Sequence, residues 1–482
     1  MLKTGPDMEL LKTQLLVIGA GPGGYAAAFH AADLGVEVTC VDPEKNPGGV
    51  CLYRGCIPSK TLLHVARIIS ETKEAKEFGV EFGEPRVDLE GVRQWKDKVV
   101  SKLTGGLGQL SKQRKVRFIQ GRASFLSSRS VTVAAVDGSA ITIEFERAII
   151  ATGSVPITLP FAPASPRILD STSALALPDI PKKFLVIGGG YIGLELGTVY
   201  AQLGSAVSVV EMTAGLLPGV DADLSALLKK KLASQFEAIK LNTRVSGLKD
   251  TGEAVEVLFE DREGQASSEF YDKVLIAIGR KPDASGLGLE HTQVQLTDRG
   301  FVAVKAAGQT HDPAIYAIGD MAGNPMLAHK ASHEGRAAAG AVAGQPAGLP
   351  PKAIPAVVFT DPEIAWCGIT ESQAVEQGLP VRVLKFPWAA SGRAVTLNRT
   401  DGLTKLIADD KTGRLLGMAI AGVGAGEMIA EGVLAIEMGA AAADLKASIH
   451  PHPTLSETVM EAAETFFGPA THIYKPPRRP PG

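Results

Sequence analysis

The stretch Leu15-Leu16-Val17-Ile18-Gly19-Ala20-Gly21-Pro22-Gly23-Gly24 reads as a buried strand running into a glycine turn and then a helix. Four consecutive apolar residues without polar alternation fit a strand covered on both faces. The glycines allow a turn too tight for side chains, and Pro22 suits the first turn of a helix. An alanine-rich stretch, a Leu34-Gly35 stop and a valine-rich strand ending at Asp42 complete a strand–turn–helix–strand unit.

The unit occurs twice. Phe184-Leu185-Val186-Ile187 precedes Gly188-Gly189-Gly190-Tyr191-Ile192-Gly193, followed by a helical stretch, Leu203-Gly204 and a strand ending at Glu211. All these matches share one offset of 169 positions, Gly19 to Gly188 and Asp42 to Glu211 alike. Such a unit holds a dinucleotide. The first glycine (Gly19, Gly188) permits the tight turn, and the second (Gly21, Gly190) lets the backbone approach a diphosphate. The third (Gly24, Gly193) lets helix and strand pack closely, and the helix N-terminus faces the phosphates. Asp42 and Glu211 are expected to accept hydrogen bonds from an adenosine ribose. Ordinary loop glycines would not place strand, helix and acid at one shared offset. A 2′-phosphate would be repelled by Glu211, and no arginine lies between Met212 and Thr243, so NAD is favoured over NADP at the second site. Lys229-Lys230-Lys231 reads as a solvated helix face.

Composition narrows the classes further. The 49 Lys+Arg against 52 Asp+Glu give −3, with no basic surplus for nucleic acid or an anionic membrane surface. Four cysteines in 482 residues cannot staple a secreted framework, so any that matter do so chemically. Met1 to Lys12 has no apolar segment for secretion, and the first arginine, Arg54, comes too late for a mitochondrial leader. Thr13 to Ala32 is long and uncharged, but its glycines and Pro22 divide it into two short elements rather than one membrane span. A cytoplasmic protein is expected, with neither nucleic acid nor membrane as partner.

Cys51 and Cys56 lie just beyond the first unit. In an unbroken helix, residues five apart differ by about 140° around the axis and about 7.5 Å along it, too far for a disulfide. An irregular turn around Cys51 is therefore expected, with Gly55 supplying freedom and Pro58 opening a helix that runs through Thr61 to Phe78. Cys56 then falls near a helix N-terminus, where a thiolate is stabilised. Spacing alone leaves two readings open, a redox dithiol or two buried apolar thiols; a neighbouring flavin favours the first. Cys40 and Cys367 read as inert core thiols. His450, His452 and Glu457 fit a base with its orienting carboxylate, a plain loop pair, or a metal site, the last disfavoured because no further ligands recur nearby.

Gly48-Gly49-Val50-Cys51-Leu52-Tyr53-Arg54-Gly55-Cys56-Ile57-Pro58-Ser59-Lys60 resembles the redox-disulfide signature of the pyridine nucleotide–disulfide oxidoreductases. His450-Pro451-His452-Pro453-Thr454-Leu455-Ser456-Glu457 resembles their histidine–glutamate segment. Ala151-Thr152-Gly153, Gly279-Arg280, Tyr316-Ala317-Ile318-Gly319-Asp320 and Leu327-Ala328-His329-Lys330-Ala331 match in order, so the resemblance covers essentially the whole chain.

The resemblance implies an α/β fold of two Rossmann-like dinucleotide-binding domains, for FAD and NAD, plus a C-terminal α+β dimerisation domain. It implies tight, non-covalent FAD at Gly19, Gly21, Gly24, Asp42, Lys60, Gly153, Gly319, Asp320 and Ala328. NAD is implied at Gly188, Gly190, Gly193, Glu211, Gly279 and Arg280, and no metal is expected. Cys51 becomes the interchange thiol and Cys56 the thiolate beside the flavin. Lys60 pairs with Glu195, and His452, oriented by Glu457, acts as general base from the partner subunit of a homodimer. The implied reaction reoxidises dihydrolipoamide on the lipoyl domains of a 2-oxoacid dehydrogenase acyltransferase subunit. A glutathione reductase would prefer NADP; a mercuric reductase carries a C-terminal cysteine pair, and no cysteine follows Cys367. A transhydrogenase lacks the disulfide pair, and a non-catalytic scaffold needs none of these residues. Tyr53-Arg54 and Pro451 depart from the family pattern; Arg54 either favours the Cys56 thiolate or faces solvent.

The expected boundaries are 1–150 and 281–350 for a discontinuous FAD domain, 151–280 for the NAD domain, and 351–482 for the interface domain. Gly344–Pro351 reads as a linker, and Lys475–Gly482 as a mobile extended end.

Overall fold

A computed structural model describes residues 9–346 and 350–474. Part of the expected linker and the Lys475–Gly482 end lie outside the described residues. The chain divides into two compact units: Met1–Leu159 with Leu169–Asp179 and Ile278–Leu349, and Pro160–Ile168 with Ile180–Ala277 and Pro350–Gly482.

In the first unit, strand Glu9–Ile18 pairs in parallel with Val38–Asp42 on one side and Ala140–Ile150 on the other. Parallel pairing extends the sheet to Arg117–Ser127 and to Ile315–Ala317. The apolar run is buried on both faces by alternation. Leu16 and Ile18 join one core with Phe125 and Val133, while Leu15 and Val17 join another with Ala27 and Ala31. Helix Pro22–Asp33 lies against helix Ala328–Val342 through small residues: a Cβ on Gly335 would meet the Gly23 carbonyl oxygen at 2.4 Å. The Leu34-Gly35 stop closes the first helix, with Gly35 N–H donating to Ala32 and Val36 N–H to Ala31.

The second unit repeats this arrangement. Strands Ala238–Lys240, Ala206–Val210, Lys183–Ile187 and Lys273–Ile276 form a parallel sheet in that order. Helix Tyr191–Gln202 ends with Gly204 donating to Ala201 and Ser205 to Tyr200, the same closure 169 positions on. Its other layer is a five-stranded antiparallel sheet, Ala356–Val358, Ile364–Gly368, Leu415–Ala421, Leu403–Asp409 and Val381–Pro387 in spatial order. Trp388 is fully buried in this layer, its Nε1 donating to Thr404. The apolar Thr13–Ala32 stretch is a strand end and a helix, and no helix among the described residues is long and apolar enough to cross a membrane.

A buried strand lysine departs from the apolar rule. Lys405 is fully buried, its Nζ 2.7 Å from Asp221, 2.8 Å from Asp223 and 3.1 Å from Glu371. Lys385 adds a 2.7 Å contact to Asp223. The three carboxylates converge within 4.8 Å of one another, the reach of metal ligands, but Lys405 already supplies the cation. Burial opposes ionisation of Asp221 and Asp223, yet the lysine hydrogen bonds outweigh it and hold both below the usual carboxylate range. Depressed values contribute stability that is complete above the unfolded carboxylate pKa, about 3.9, and is lost as the pH falls through the folded values. Lys405→Met should therefore cost about 3–5 kcal/mol at neutral pH. The gap from wild type should narrow toward about pH 4 as the orphaned carboxylates protonate. Urea unfolding at the two pH values measures this, and an equal gap at both would refute it.

Candidate active site

The two glycine turns divide their labour among three glycines in the same way. Gly19 and Gly188 adopt φ of +96° and +109°, conformations that only glycine takes readily. A Cβ on Gly24 would stand 1.8 Å from the Gly19 carbonyl oxygen, and one on Gly193 2.4 Å from that of Gly188. The middle glycines face open space: a Cβ on Gly190 would meet nothing within 4 Å, and one on Gly21 only Gly49 Cα at 3.9 Å. No side chain among the described residues caps helix Pro22–Asp33 or Tyr191–Gln202. Each turn thus leaves a gap and unpaired N–H groups where a diphosphate fits.

The acids serve the turns directly, which the sequence reading did not anticipate. Asp42 accepts from the Ala20 N–H at 2.6 Å and from Glu44 N–H at 2.9 Å. Glu211 accepts from Gly189 at 2.7 Å and from Thr213 at 2.8 Å. Each carboxylate oxygen spends one lone pair on the backbone and keeps another with which it can accept from a further donor. Burial pushes the Asp42 carboxyl up despite its two N–H donors.

The cysteine segment sits on the first turn. Gly48 N–H donates to the Ala20 carbonyl at 2.8 Å, and a Cβ on Gly49 would meet Gly21 Cα at 2.5 Å. Contrary to the expected irregular turn, Cys51 is helical, in Gly49–Arg54. Gly55 alone breaks the chain, and a second helix, Cys56–Glu74, starts at Cys56 rather than at Pro58. It ends four residues short of Phe78, Ala75–Phe78 being a separate 3₁₀ turn. Pro58 is tolerated because its missing N–H falls in the first turn, where no helical acceptor exists. The break at Gly55 removes the separation an unbroken helix would impose, and Cys51 hydrogen-bonds to Cys56. That bond, then burial, pushes the Cys51 thiol up, while the Cys56 N–H and the Lys60 charge pull the other way. Tyr25, directly after the glycine turn, has its phenol pushed up by burial and by both cysteines. Cys40 and Cys367 are buried, Cys367 pushed up to about 12 by burial.

His452 Nδ1 lies 2.9 Å from Glu457 Oε1, and Glu457 Oε2 accepts from the Thr454 N–H at 2.7 Å. Burial disfavours the charged carboxylate, but the Thr454 and His452 bonds outweigh it and hold Glu457 below the usual range. The His452 ring is 74% exposed, and its Nε2 has no partner among the described residues. One ring nitrogen is thus oriented and the other available, an arrangement suited to proton transfer.

The remaining residues scatter more widely. Asp320 accepts from Ser154 Oγ at 2.6 Å, and Arg280 Nε donates to the same Ser154 oxygen at 2.8 Å. Arg280 is thus brought together with Asp320 of the flavin motif. Gly279 precedes it at φ +124°, and Gly153 at φ +78° opens onto free space. Gly319 N–H donates to Glu334 at 2.7 Å, and Ala328 begins the helix carrying Glu334. Lys60 follows Cys56 by one turn of the same helix. Glu195 is buried and accepts from the Phe359 N–H at 3.0 Å.

A model of the pyridine nucleotide-disulphide oxidoreductases matches residues 13–335, and one of that family's dimerisation domain matches 354–463. The chain belongs to this family. A dihydrolipoyl dehydrogenase of Haemophilus influenzae is 48% identical over 468 residues, covering 96% of this chain and 97% of the relative. One from Bacillus subtilis is 47% identical over 466 residues, covering 96% and 98%. The crystal structure of LpdA from Mycobacterium tuberculosis superposes with a TM-score of 0.87 at 28% identity, covering 94% of this chain and 99% of that one. The fold is accordingly mixed α/β, with two Rossmann-like domains and a C-terminal domain.

Sequence reasoning missed Tyr25, Ser154, Glu334 and Thr454, whose roles come from distant strands or from a single backbone N–H and leave no local pattern. It left Arg54 open between two readings, and the structure gives a third: Arg54 pairs with Glu44, beside Asp42. The Arg54 side chain is 38% exposed, so this pair contributes little. Arg54→Val should keep turnover within about threefold of wild type and cost less than about 1 kcal/mol. Steady-state rates and thermal melts of the purified variant check both.

Proposed function

We propose that this chain reoxidises protein-bound dihydrolipoamide, with FAD at the first glycine turn and NAD⁺ at the second, as the flavoprotein component of 2-oxoacid dehydrogenase complexes. The observation that carries this reading is the Cys51–Cys56 thiol contact built directly onto the first turn. Two relatives above 45% identity, dihydrolipoyl dehydrogenases by name, support it. Glu211 at the second turn, without a nearby arginine, supports NAD over NADP.

The reaction begins from the oxidised pair. His452 Nε2 takes a proton from one substrate thiol, because thiol–disulfide exchange needs a thiolate nucleophile. Glu457, accepting at Nδ1, stabilises the imidazolium and fixes the ring. The thiolate attacks Cys51 Sγ, the S–S bond breaks, and Cys56 leaves as a thiolate at the start of its helix, where the N-terminal field favours it. The second substrate thiol gives its proton, through His452, to Cys51, displacing Cys51 and closing the substrate's own disulfide. One proton ends on Cys51 and one on His452. Bound FAD supplies the chemistry that turns the two electrons on the thiolate side into a hydride for NAD⁺. Lys60, one helical turn after Cys56, places positive charge by the thiols, and Asp320 orients the flavin's ribityl chain.

The protein works as a homodimer, with His452 reaching the disulfide of the other subunit. The FAD domain takes 1–150 and 281–350, the NAD domain 151–280 and the interface domain 351–482. The dimerisation-domain match supports the last of these. Lipoyl domains of the acyltransferase subunit are the substrate carriers, in the cytoplasm.

Purified protein should reduce NAD⁺ with dihydrolipoamide, and NADP⁺ or glutathione disulfide should serve far less well. Cys56→Ser should abolish turnover, and His452→Gln should lower kcat by about 10²–10⁴. A preference for NADPH with glutathione disulfide, or full activity in His452→Gln, would sink the proposal.

A further inference from the structure

The loop that carries His452 is poorly held by its own backbone. Pro451 and Pro453 have no N–H, and those of Ile449, His450 and His452 find no acceptor among the described residues. Ser448, Ile449, Pro451, His452 and Pro453 all face outward, Ile449 almost entirely exposed. His450 is the exception, its side chain only 8% exposed. Its Nε2 lies 2.8 Å from Glu431 Oε1, on helix Ala425–Met438, and its Nδ1 2.9 Å from the Ser448 carbonyl oxygen.

The two histidines therefore have opposite geometries. His452 offers one nitrogen to a carboxylate and leaves the other open. His450 has an acceptor at each nitrogen, so both bonds together need a proton on each nitrogen, or one on Glu431. While both bonds stand, His450 has no lone pair to offer a substrate. What it does is tie the middle of the loop to a helix that is itself packed on the antiparallel sheet, through Ile429 and Ile436.

We propose that His450 is a positioning residue: its bond to Glu431 fixes the loop from which His452 acts. Thr454 and Glu457 hold the loop at its end, through Thr454 Oγ1 to the Pro451 carbonyl at 2.7 Å and the Thr454 N–H to Glu457. His450 supplies the second point of attachment, two residues before the base, without which the loop pivots on one. The inference rests on His452 being the base of the proposed dithiol reaction.

The test uses the purified holoenzyme as the full chain. His450→Ala and Glu431→Gln should each lower kcat with dihydrolipoamide about tenfold or more, since small displacements of a reacting group are costly. The ratio kcat/KM for NAD⁺ should not move, because the NAD⁺ half-reaction does not use the loop. The double variant should lose no more than the worse single one, and His450→Gln, which still donates to Glu431, should recover part of the loss. Hydride exchange between NADH and an NAD⁺ analogue requires neither His452 nor the disulfide and should stay at the wild-type rate. By ¹⁵N NMR, the His452 Nδ1 signal should move toward that of a free imidazole in His450→Ala. Unchanged dithiol turnover in both single variants overturns the proposal. So does an equal loss in hydride exchange, which would make His450 a general folding residue. If wild type fails to oxidise dihydrolipoamide, the proposed reaction falls. The NMR signal then decides alone: an unmoved His452 resonance in His450→Ala overturns the attachment as well.

Discussion

Both dinucleotide units depend on one hydrogen bond, from a backbone N–H in the glycine turn to the carboxylate that ends the next strand. In the first unit it joins Ala20 to Asp42 at 2.6 Å, in the second Gly189 to Glu211 at 2.7 Å. The bond is buried and charge-assisted, so it is stronger than a neutral pair and costly to lose. It fixes the turn relative to the strand end without occupying the gap opposite Gly21 or Gly190. Everything that follows the turn inherits that position, including the Gly48–Gly49 backbone resting on Ala20 and Gly21, and so the cysteine helix.

Where a residue's duty is local, it was legible from the sequence. The strand, the three glycine roles, the Leu-Gly stop and the acid are written within about thirty residues, the span of one such unit, and each leaves a pattern. The 169-residue offset even carries through to hydrogen bonds, Val36 to Ala31 repeating as Ser205 to Tyr200. His452 and Glu457 are equally local, five positions apart on a turn. Duties shared across the fold were not legible. Ser154 joins Arg280 to Asp320 across more than a hundred residues, and Lys405 gathers carboxylates from Asp221 to Glu371. Neither residue type nor spacing announces such a partnership, because it is made by the topology. The error at Cys51 has another cause. The reading allowed either an unbroken helix or an irregular turn, whereas Gly55 breaks one helix and begins another within a single residue.

The loop around His452 shows how a mobile-looking segment is given a defined geometry. Two prolines limit the backbone's own bonding, so side chains take over. Glu457 uses one oxygen on the His452 ring and the other on the Thr454 N–H, binding ring and loop through one carboxylate. A third pair, His472 with buried Glu461, lies one helical turn along from Glu457, and bonding to Glu461 pushes the His472 imidazole up. Two carboxylates on neighbouring turns of one helix, Glu457 and Glu461, thus each hold a histidine.

This pairing bears on a puzzle in the composition. A chain proposed to hold two dinucleotide diphosphates and a thiolate has no excess of basic residues, 49 against 52 acidic ones. Helix starts supply the missing positive potential. The two glycine turns open helices at Pro22 and Tyr191, Cys56 is the first residue of its helix, and Glu457 the first of its own. At each, the helix dipole favours negative charge within the first turn. Lysine side chains would do the same electrostatically, but they are long, mobile and heavily hydrated, and would crowd a gap that must admit a flat ring system. Backbone donors at a helix start are fixed by the fold and cost no ordering when the anion arrives. The glycines of the two turns, which expose backbone, are thus one part of the 53 in a chain whose net charge is −3.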